Sequence, residues 1–363
     1  MEKITKVQDF IDALYKSYTN YKTYWNYEDG CVLTGFVQLF DVTQDKKYIE
    51  YVVNYLEKVI LDDGTITNYE TGANNIDGFN CGKVLYRAYD YTKDEKFKNA
   101  IEFLIKNLRQ HPRTKTENFW HKGIYPNQVW LDGLYMAQPF YAEYETRYNN
   151  KENYADIAKQ FQNVKMLMRD SKTGLYYHGY DEARKMFWAD KQTGLSPNFW
   201  LRSIGWFFMA LVDTIDAISE QVYEHRRVLI DIFRELADAI LAQQDSKTKL
   251  FYQVIDHPNA EGNYTETSGS SMVAYALMKG VRLGVLNREK YLDKGVEVFD
   301  GIVEHKLNDG ILSDICCVAG LGPENNPTRN GSVEYYISET KANNDAKGAG
   351  PFMMAYAQRL MLI

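Results

Sequence analysis

Cysteine is scarce along these 363 residues: Cys31, Cys81, Cys316 and Cys317 are the only four. They form no C-x-x-C pair, and no histidine stands beside them at zinc-ligand spacing. That argues against a disulfide framework and a zinc ribbon, and leaves buried free thiols as the plain reading. Proline is sparse too, 8 residues against 24 glycines, and the chain is 45% hydrophobic and 25% charged, so it is neither collagen-like nor disordered. Positive charge is in deficit: 42 Lys and Arg face 49 Asp and Glu, a net charge of −7. A general nucleic-acid or anionic-membrane binder carries the opposite sign, so neither partner is expected. Long apolar runs are missing as well. The most apolar segment, Ser203 to Val212, is closed off by Arg202 and Asp213, short of the ~18 residues of a membrane span. The N-terminal stretch Met1 to Phe10 holds no apolar signal core, so the reducing cytoplasm is the expected compartment. No G-x-S-x-G elbow, Walker loop or dinucleotide fingerprint is present.

In excess are aromatic side chains, 14% of the chain with 29 Tyr and 6 Trp. Helical periodicity is the other strong signal. Tyr48, Val52, Tyr55 and Val59 recur at three- and four-residue steps, as do Phe97, Ile101, Leu104 and Leu108, and again Leu229, Phe233, Leu236 and Ile240. Each set lays an apolar stripe along one helix. Alternating strands are scarce; Gly174 to His178 and Leu250 to Val254 are the candidate arms of brief hairpins. The segment Asp41-Val42-Thr43-Gln44-Asp45-Lys46-Lys47-Tyr48 returns as Asp90-Tyr91-Thr92-Lys93-Asp94-Glu95-Lys96-Phe97, with looser echoes at Asn149 to Tyr154 and Asn287 to Tyr291. Glycine-bearing helices begin upstream of these echoes, near Gly30, Gly82, Gly133, Gly205, Gly269 and Gly348, and amphipathic helices follow. Six helical hairpins of about fifty to seventy residues account for the length. The run Ser203 to Val212 lacks a polar face, as a helix inside a closed ring would, whereas Leu229 to Leu241 is amphipathic. The expected fold is therefore all-α: one (α/α)6 barrel over residues 1–363, with no interdomain linker.

In such a ring the loops leading into the inner helices converge at one mouth. Those positions hold Trp25, Tyr27, Asp77, His121, Lys122, Asp132, His178, Trp188, Trp200, Arg202 and the run Tyr264 to Gly269. Aromatic faces beside hydrogen-bonding side chains suit a sugar, with its apolar C–H faces and polar rim; a purely structural aromatic core is the alternative. Asp77 and Asp132 each precede an inner helix, where Asp also serves as an N-cap. At one mouth ringed by Trp, they equally suit a glycosidase-like acid/base pair, one of them with a raised pKa. Lys122 and Arg202 are either surface charges or, for Arg202 beside Trp200, a binder of a substrate carboxylate.

Several blocks resemble a known family. Phe119-Trp120-His121-Lys122, Tyr125-Pro126, Gln128 and Trp130-Leu131-Asp132-Gly133-Leu134-Tyr135-Met136 are similar to the signature of glycoside hydrolase family 105. So are Gly174 to His178 with Asp181-Glu182-Ala183, Phe199 to Trp206, Glu266 to Ser270 and Asn344 to Gly350. The likeness runs from Trp25 to Phe352. Asn75 to Gly82 matches chiefly through Asp77 and Gly78, and Cys316 to Asn330 is longer than in the most compact members.

The resemblance implies an (α/α)6 barrel and an unsaturated rhamnogalacturonyl hydrolase, with unsaturated glucuronyl hydrolysis as the alternative. It implies Asp132 as general acid/base and Asp77 as its essential carboxylate neighbour. Tyr27, His121, Lys122, His178, Trp200, Arg202 and Trp206 become pocket residues. The implied substrate is a lyase-generated pectic oligosaccharide whose non-reducing uronate carries a C4=C5 double bond, and neither cofactor nor metal is implied. A non-catalytic carbohydrate-binding toroid would keep the tryptophans without needing Asp132; another exo-glycosidase or an epimerase would need a different acid/base set. A monomer is expected.

Overall fold

A computed structural model describes residues 2–362. Helices dominate, and they alternate between an outer and an inner layer. The order is α1 (Glu2–Ser17), α2 (Tyr27–Thr43), α3 (Lys46–Val59), α4 (Lys83–Thr92), α5 (Glu95–Arg109), α6 (Leu131–Arg147), α7 (Tyr154–Met168), α8 (Leu201–Ala217), α9 (Tyr223–Leu241), α10 (Thr267–Arg282), α11 (Arg288–His305), the short α12 (Val333–Ser338) and α13 (Ala346–Leu362). Helices α2, α4, α6, α8, α10 and α13 form the inner ring, which closes where α13 packs on α2. The others, apart from α12, lie outside. This is the (α/α)6 barrel anticipated from the glycine-marked helices.

Burial follows the sequence pattern. Outer α3 buries one stripe, Tyr48, Ile49, Val52, Tyr55, Leu56 and Val59. Inner α8 is buried on every side from Leu201 to Val212, because its neighbours α6 and α10 cover both flanks. Small residues let the inner helices approach. A Cβ on Gly30 would stand 2.8 Å from Cys81 Cα, and one on Gly205 would stand 2.7 Å from Met272 Sδ. Cys31, Cys81 and Cys316 are buried free thiols and Cys317 is half-buried.

The repeated D-x-T-x-D segment has a structural cause. Helix α2 ends on Gln44 and α4 on Lys93, both left-handed, at φ 58° and 60°. Thr43 Oγ1 and Thr92 Oγ1 then accept from the backbone N–H groups of Asp45 and Asp94. The two aspartates cap α3 and α5 by accepting from Lys47 N and Lys96 N. Asn287 caps α11 in the same way, whereas Asn153 makes no side-chain cap on α7.

Strand structure is slight and gathers at the mouth. β1 (Gln128–Trp130) pairs antiparallel with β2 (Gly179–Asp181), β3 (Leu307–Asn308) with β4 (Ile311–Leu312), and β5 (Ile315–Cys316) with β6 (Lys341–Ala342). The two anticipated hairpin arms differ from expectation. Tyr176 makes one bridge to Arg169, while Tyr252 and Val254 bridge separately to Thr265 and Trp200. Each segment is held at single points as it crosses from an outer helix toward an inner one, so no ladder develops. Among the described residues, no helix is long and apolar enough to cross a membrane.

Candidate active site

The mouth is assembled by backbone pairing between loops far apart in sequence. Asn75 bridges to Lys122, with Ile76 N donating to His121 O at 3.2 Å. His121 N donates in turn to Gln128 O, and β1 continues the series onto β2 with Trp130 opposite Gly179. Leu131 N then donates to His178 O at 3.1 Å. One continuous set of hydrogen bonds thus brings Asp77, His121, Lys122, Asp132 and His178 to the same side of the ring.

Neither aspartate is a cap. The turn Ile76–Phe79 is capped by Asn75, whose Oδ1 accepts from Asp77 N at 3.2 Å. Helix α6 starts after Trp130 with no side-chain cap, and Asp132 lies inside its first turn. Both carboxylates therefore face a cavity of about 270 Å³, shared with Tyr24, Trp25, Tyr27, Glu28, Asn75, His121, Lys122, Tyr125, Trp130, Met136 and the loop residues Val318, Ala319, Gly320 and Arg329. A first helical turn favours an anion through the helix dipole.

The two carboxylates have different partners. Lys122 Nζ lies 2.6 Å from Asp77 Oδ2. Burial opposes the charge on Lys122, but Asp77 outweighs it and holds the ammonium above its ordinary pKa. Asp132 faces imidazoles instead: His178 Nε2 is 3.3 Å from its Oδ2, an ion-pair distance without hydrogen-bond alignment. Burial pushes the Asp132 carboxyl up, yet His178, His121 and its own backbone N–H outweigh this and hold it below the ordinary carboxylate value. The raised general acid anticipated from two adjoining carboxylates is thus not found at Asp132 in the free protein. The imidazole of His121 is pushed down to about 4, chiefly by burial, and is neutral at pH 7. Its ring stacks 4.2 Å from Trp130, and its Nδ1 is buried without a hydrogen-bond partner.

The remaining expected pocket residues lie at different depths. Tyr27 lines the cavity, half-buried. His178 is fully buried behind Asp132, its ring 4.8 Å from that of Trp200. Arg202 is also behind the wall: its guanidinium donates to the carbonyls of Cys316 and Cys317 and to Ser268 Oγ, and sits 4.9 Å from the Trp200 ring. Trp206 lies deeper still, stacked 4.8 Å from Tyr135 in the core of the ring. A position a turn further into α8 points to packing, not to the mouth.

Sequence reasoning missed two residues. Tyr336 of α12 places its hydroxyl 2.8 Å from His178 Nδ1 and stacks on Trp200, so it fixes the imidazole that faces Asp132. Arg329, on the long loop before α12, lines the cavity, and its guanidinium has no ion-pair or hydrogen-bond partner among the described residues. The only signal was the extra length of that loop. A larger cavity of about 510 Å³ adjoins behind Trp25, whose Nε1 donates to Gly78 O at 2.7 Å. It contains Glu70 but no carboxylate pair, whereas the smaller one contains both Asp77 and Asp132. Among the described residues, no cluster of three or more His, Cys, Asp or Glu is placed to hold a metal.

A closed ring of helix pairs with paired carboxylates at the N-terminal ends of its inner helices defines an (α/α)6 glycoside hydrolase. The family model Glycosyl Hydrolase Family 88 matches residues 2–363. A solved structure of a family 105 glycoside hydrolase from C. acetobutylicum ATCC 824 superposes with a TM-score of 0.93 at 40% identity, covering 98% of this chain and 99% of that one. The chain therefore belongs to glycoside hydrolase family 88/105. It is 39% identical over 235 residues to Protein Atu3128 of Agrobacterium fabrum, covering 62% of this chain and 99% of that protein. It is also 25% identical over 320 residues to the unsaturated rhamnogalacturonyl hydrolase YesR of Bacillus subtilis, covering 86% of this chain and 85% of YesR.

Proposed function

We propose that this glycoside hydrolase removes a 4,5-unsaturated uronate from the non-reducing end of lyase-generated rhamnogalacturonan oligosaccharides. The observation that carries the reading is the pairing of Asp77 and Asp132 in one small cavity with unlike partners, an ammonium for one and imidazoles for the other. The likeness to YesR supports the choice of sugar. The C4=C5 bond of such a uronate is an enol ether, because C5 carries the ring oxygen. A proton delivered from Asp132 to C4 leaves an oxocarbenium centre at C5. Water adds there, giving up its proton to the Asp132 carboxylate. The C5 hemiketal opens to a ketone, the C1 hemiacetal so formed expels the remaining sugar as an alcohol, and a keto-uronate is left. The anomeric carbon is never attacked, so carboxylate spacing does not set a stereochemical outcome at C1.

Asp132 must be protonated for this step. The incoming uronate carboxylate supplies the means: a second negative charge in a desolvated pocket raises the pKa of a neighbouring carboxyl. Asp77, held by Lys122, orients hydroxyls of the bound sugar, while Trp25 and Tyr27 supply apolar and hydrogen-bonding wall. Arg202 acts from behind the wall, fixing the Cys316–Cys317 backbone beside the Val318–Gly320 part of the lining.

A panel of unsaturated disaccharides tests the assignment through loss of the ultraviolet absorbance of the conjugated double bond. The rhamnogalacturonyl disaccharide is expected to turn over fastest and its saturated counterpart not at all. Cleavage of the saturated compound rules out the hydration chemistry; faster turnover of a glucuronyl disaccharide moves the substrate to that class.

A further inference from the structure

Away from the mouth, the inner helices line a further cavity that reaches from Lys83, at the start of the short α4, to their C-terminal ends. It has a volume of about 390 Å³ and is lined from all six, by Gln38 and Asp41 of α2, Lys83 and Arg87 of α4, Glu143 and Arg147 of α6, Asp213 and Asp216 of α8, Lys279 and Arg282 of α10, and Gln358 of α13. Its charges are matched pairwise: Arg87 with Asp41, Arg147 with Glu143 and Asp90, Lys279 with Asp213 and Asp216, Arg282 with Asp216. A polar chain runs round one wall, from Arg282 Nε to Gln358 Oε1 (2.8 Å), Gln358 Nε2 to Gln38 Oε1 (3.2 Å), Gln38 Nε2 to Tyr275 Oη (2.9 Å) and Tyr275 Oη to Asp213 Oδ1 (2.6 Å).

Lys83 is the exception. Its Nζ is buried without a hydrogen-bond or ion-pair partner among the described residues and rests 3.1 Å from the centre of the Tyr135 ring. We propose that this far cavity binds a small polyhydroxylated monocarboxylate, a sugar acid, with Lys83 as its anchor. One unmatched cation calls for one negative charge. A dianion such as phosphate would bring a second negative charge with no free cation to meet it, because Arg87, Arg147, Lys279 and Arg282 are already paired with carboxylates. The same carboxylates are acceptors for hydroxyl groups, and Pro139 and Phe140 offer apolar surface to a C–H face. The volume admits a single sugar ring.

The electrostatics of the cavity support this. Burial lowers the Lys83 ammonium to about 7 against the upward pull of Asp213 and Cys31, and Lys279 adds to the lowering. The other charged groups facing the cavity are Asp41 from α2, Arg87 from α4, Glu143 and Arg147 from α6, Asp216 from α8 and Arg282 from α10; α13 brings only neutral Gln358 and Met361. A carboxylate on Lys83 restores its charge, so binding at pH 8 takes up a proton.

The test uses the whole protein and D-galacturonate, with inorganic phosphate as the dianion control. Brief acetic anhydride treatment at pH 7.5, followed by peptide mapping, is expected to label Lys83, and saturating D-galacturonate to cut that labelling about fivefold or more. Labelling of Lys122 reports any occupancy of the catalytic mouth separately. Calorimetric titration is expected to show proton uptake at pH 8 that Lys83→Met abolishes. A Lys83 that resists labelling in the free protein, labelling unchanged by D-galacturonate, or equal protection by phosphate overturns the proposal. The labelling arm needs no variant, so a poorly folded Lys83→Met leaves it decisive.

Discussion

Both ends of the helical ring carry buried charge, and they differ in how fully that charge is matched. At the mouth formed by the helix N-termini, four buried polar atoms lack a hydrogen bond: Asp132 Oδ2 and His178 Nε2, which face each other at 3.3 Å, and His121 Nδ1 and Glu28 Oε2. At the C-terminal end almost every cation has its carboxylate. The helix dipole biases both arrangements, favouring acids such as Glu28, Asp77 and Asp132 in first turns and bases such as Arg147, Lys279 and Arg282 in last turns. What separates a reactive end from a structural one is compensation. A buried polar atom without a partner costs stability unless another molecule satisfies it, and at the mouth these atoms lie in or directly behind the cavity where the chemistry is proposed.

Substitutions at the two ends sharpen that contrast. Asp77→Asn should lower kcat/KM about a hundredfold and shift the free energy of unfolding by less than about 1 kcal/mol, because its partner Lys122 can turn to solvent; a steady-state assay and a urea melt measure the two. A fall in stability as large as the fall in activity would erase the distinction. Lys279→Met acts at the other end and leaves Asp213 and Asp216 without their shared cation. A loss of about 3 kcal/mol in denaturant unfolding is expected, and a loss under about 0.5 kcal/mol would show the far-end pairs to be ornamental.

Tyr336→Phe gives the smallest effect. It removes the hydroxyl that holds His178 Nδ1, and kcat/KM should fall about tenfold, the weight of one buried hydrogen bond. Tyr336 acts through His178, so the pH profile is the more telling readout. The proposed mechanism requires Asp132 protonated, and its carboxyl is held low in part by His178. Activity in kcat/KM therefore declines as pH rises through that lowered pKa. Loosening His178 raises the pKa, and the declining limb should move to higher pH; an unmoved limb would leave Tyr336 a purely structural role.

Much of the ring was legible because its constraints are local. Glycines mark the inner helices where backbones touch, as Gly30 does against Cys81, and the Thr-x-Asp turns repeat because each starts an outer helix with the same cap. The block Trp130 to Met136 located Asp132 through its place at a helix start. Depth was harder to read. Trp206 and Trp200 look alike in sequence, yet six residues along α8 separate a mouth-side ring from one stacked on Tyr135. Arg202 carries charge that suggests a ligand, but backbone carbonyls from a distant loop surround it. Tyr336 was invisible because its contact with His178 spans 158 residues and lies in a short helix without periodicity. Contacts of that kind are set by how the mouth loops meet, which no local pattern encodes.

The most direct measurement is the rate at which the unsaturated rhamnogalacturonyl disaccharide loses its double-bond absorbance with Asp132→Asn in place of the wild-type protein, both shown by circular dichroism to keep the same helical fold. The amide can neither deliver a proton to C4 nor accept one from water, so a fall of about a thousandfold or more is expected. Turnover within tenfold of wild type would contradict Asp132 as the proton donor and move the chemistry to another group.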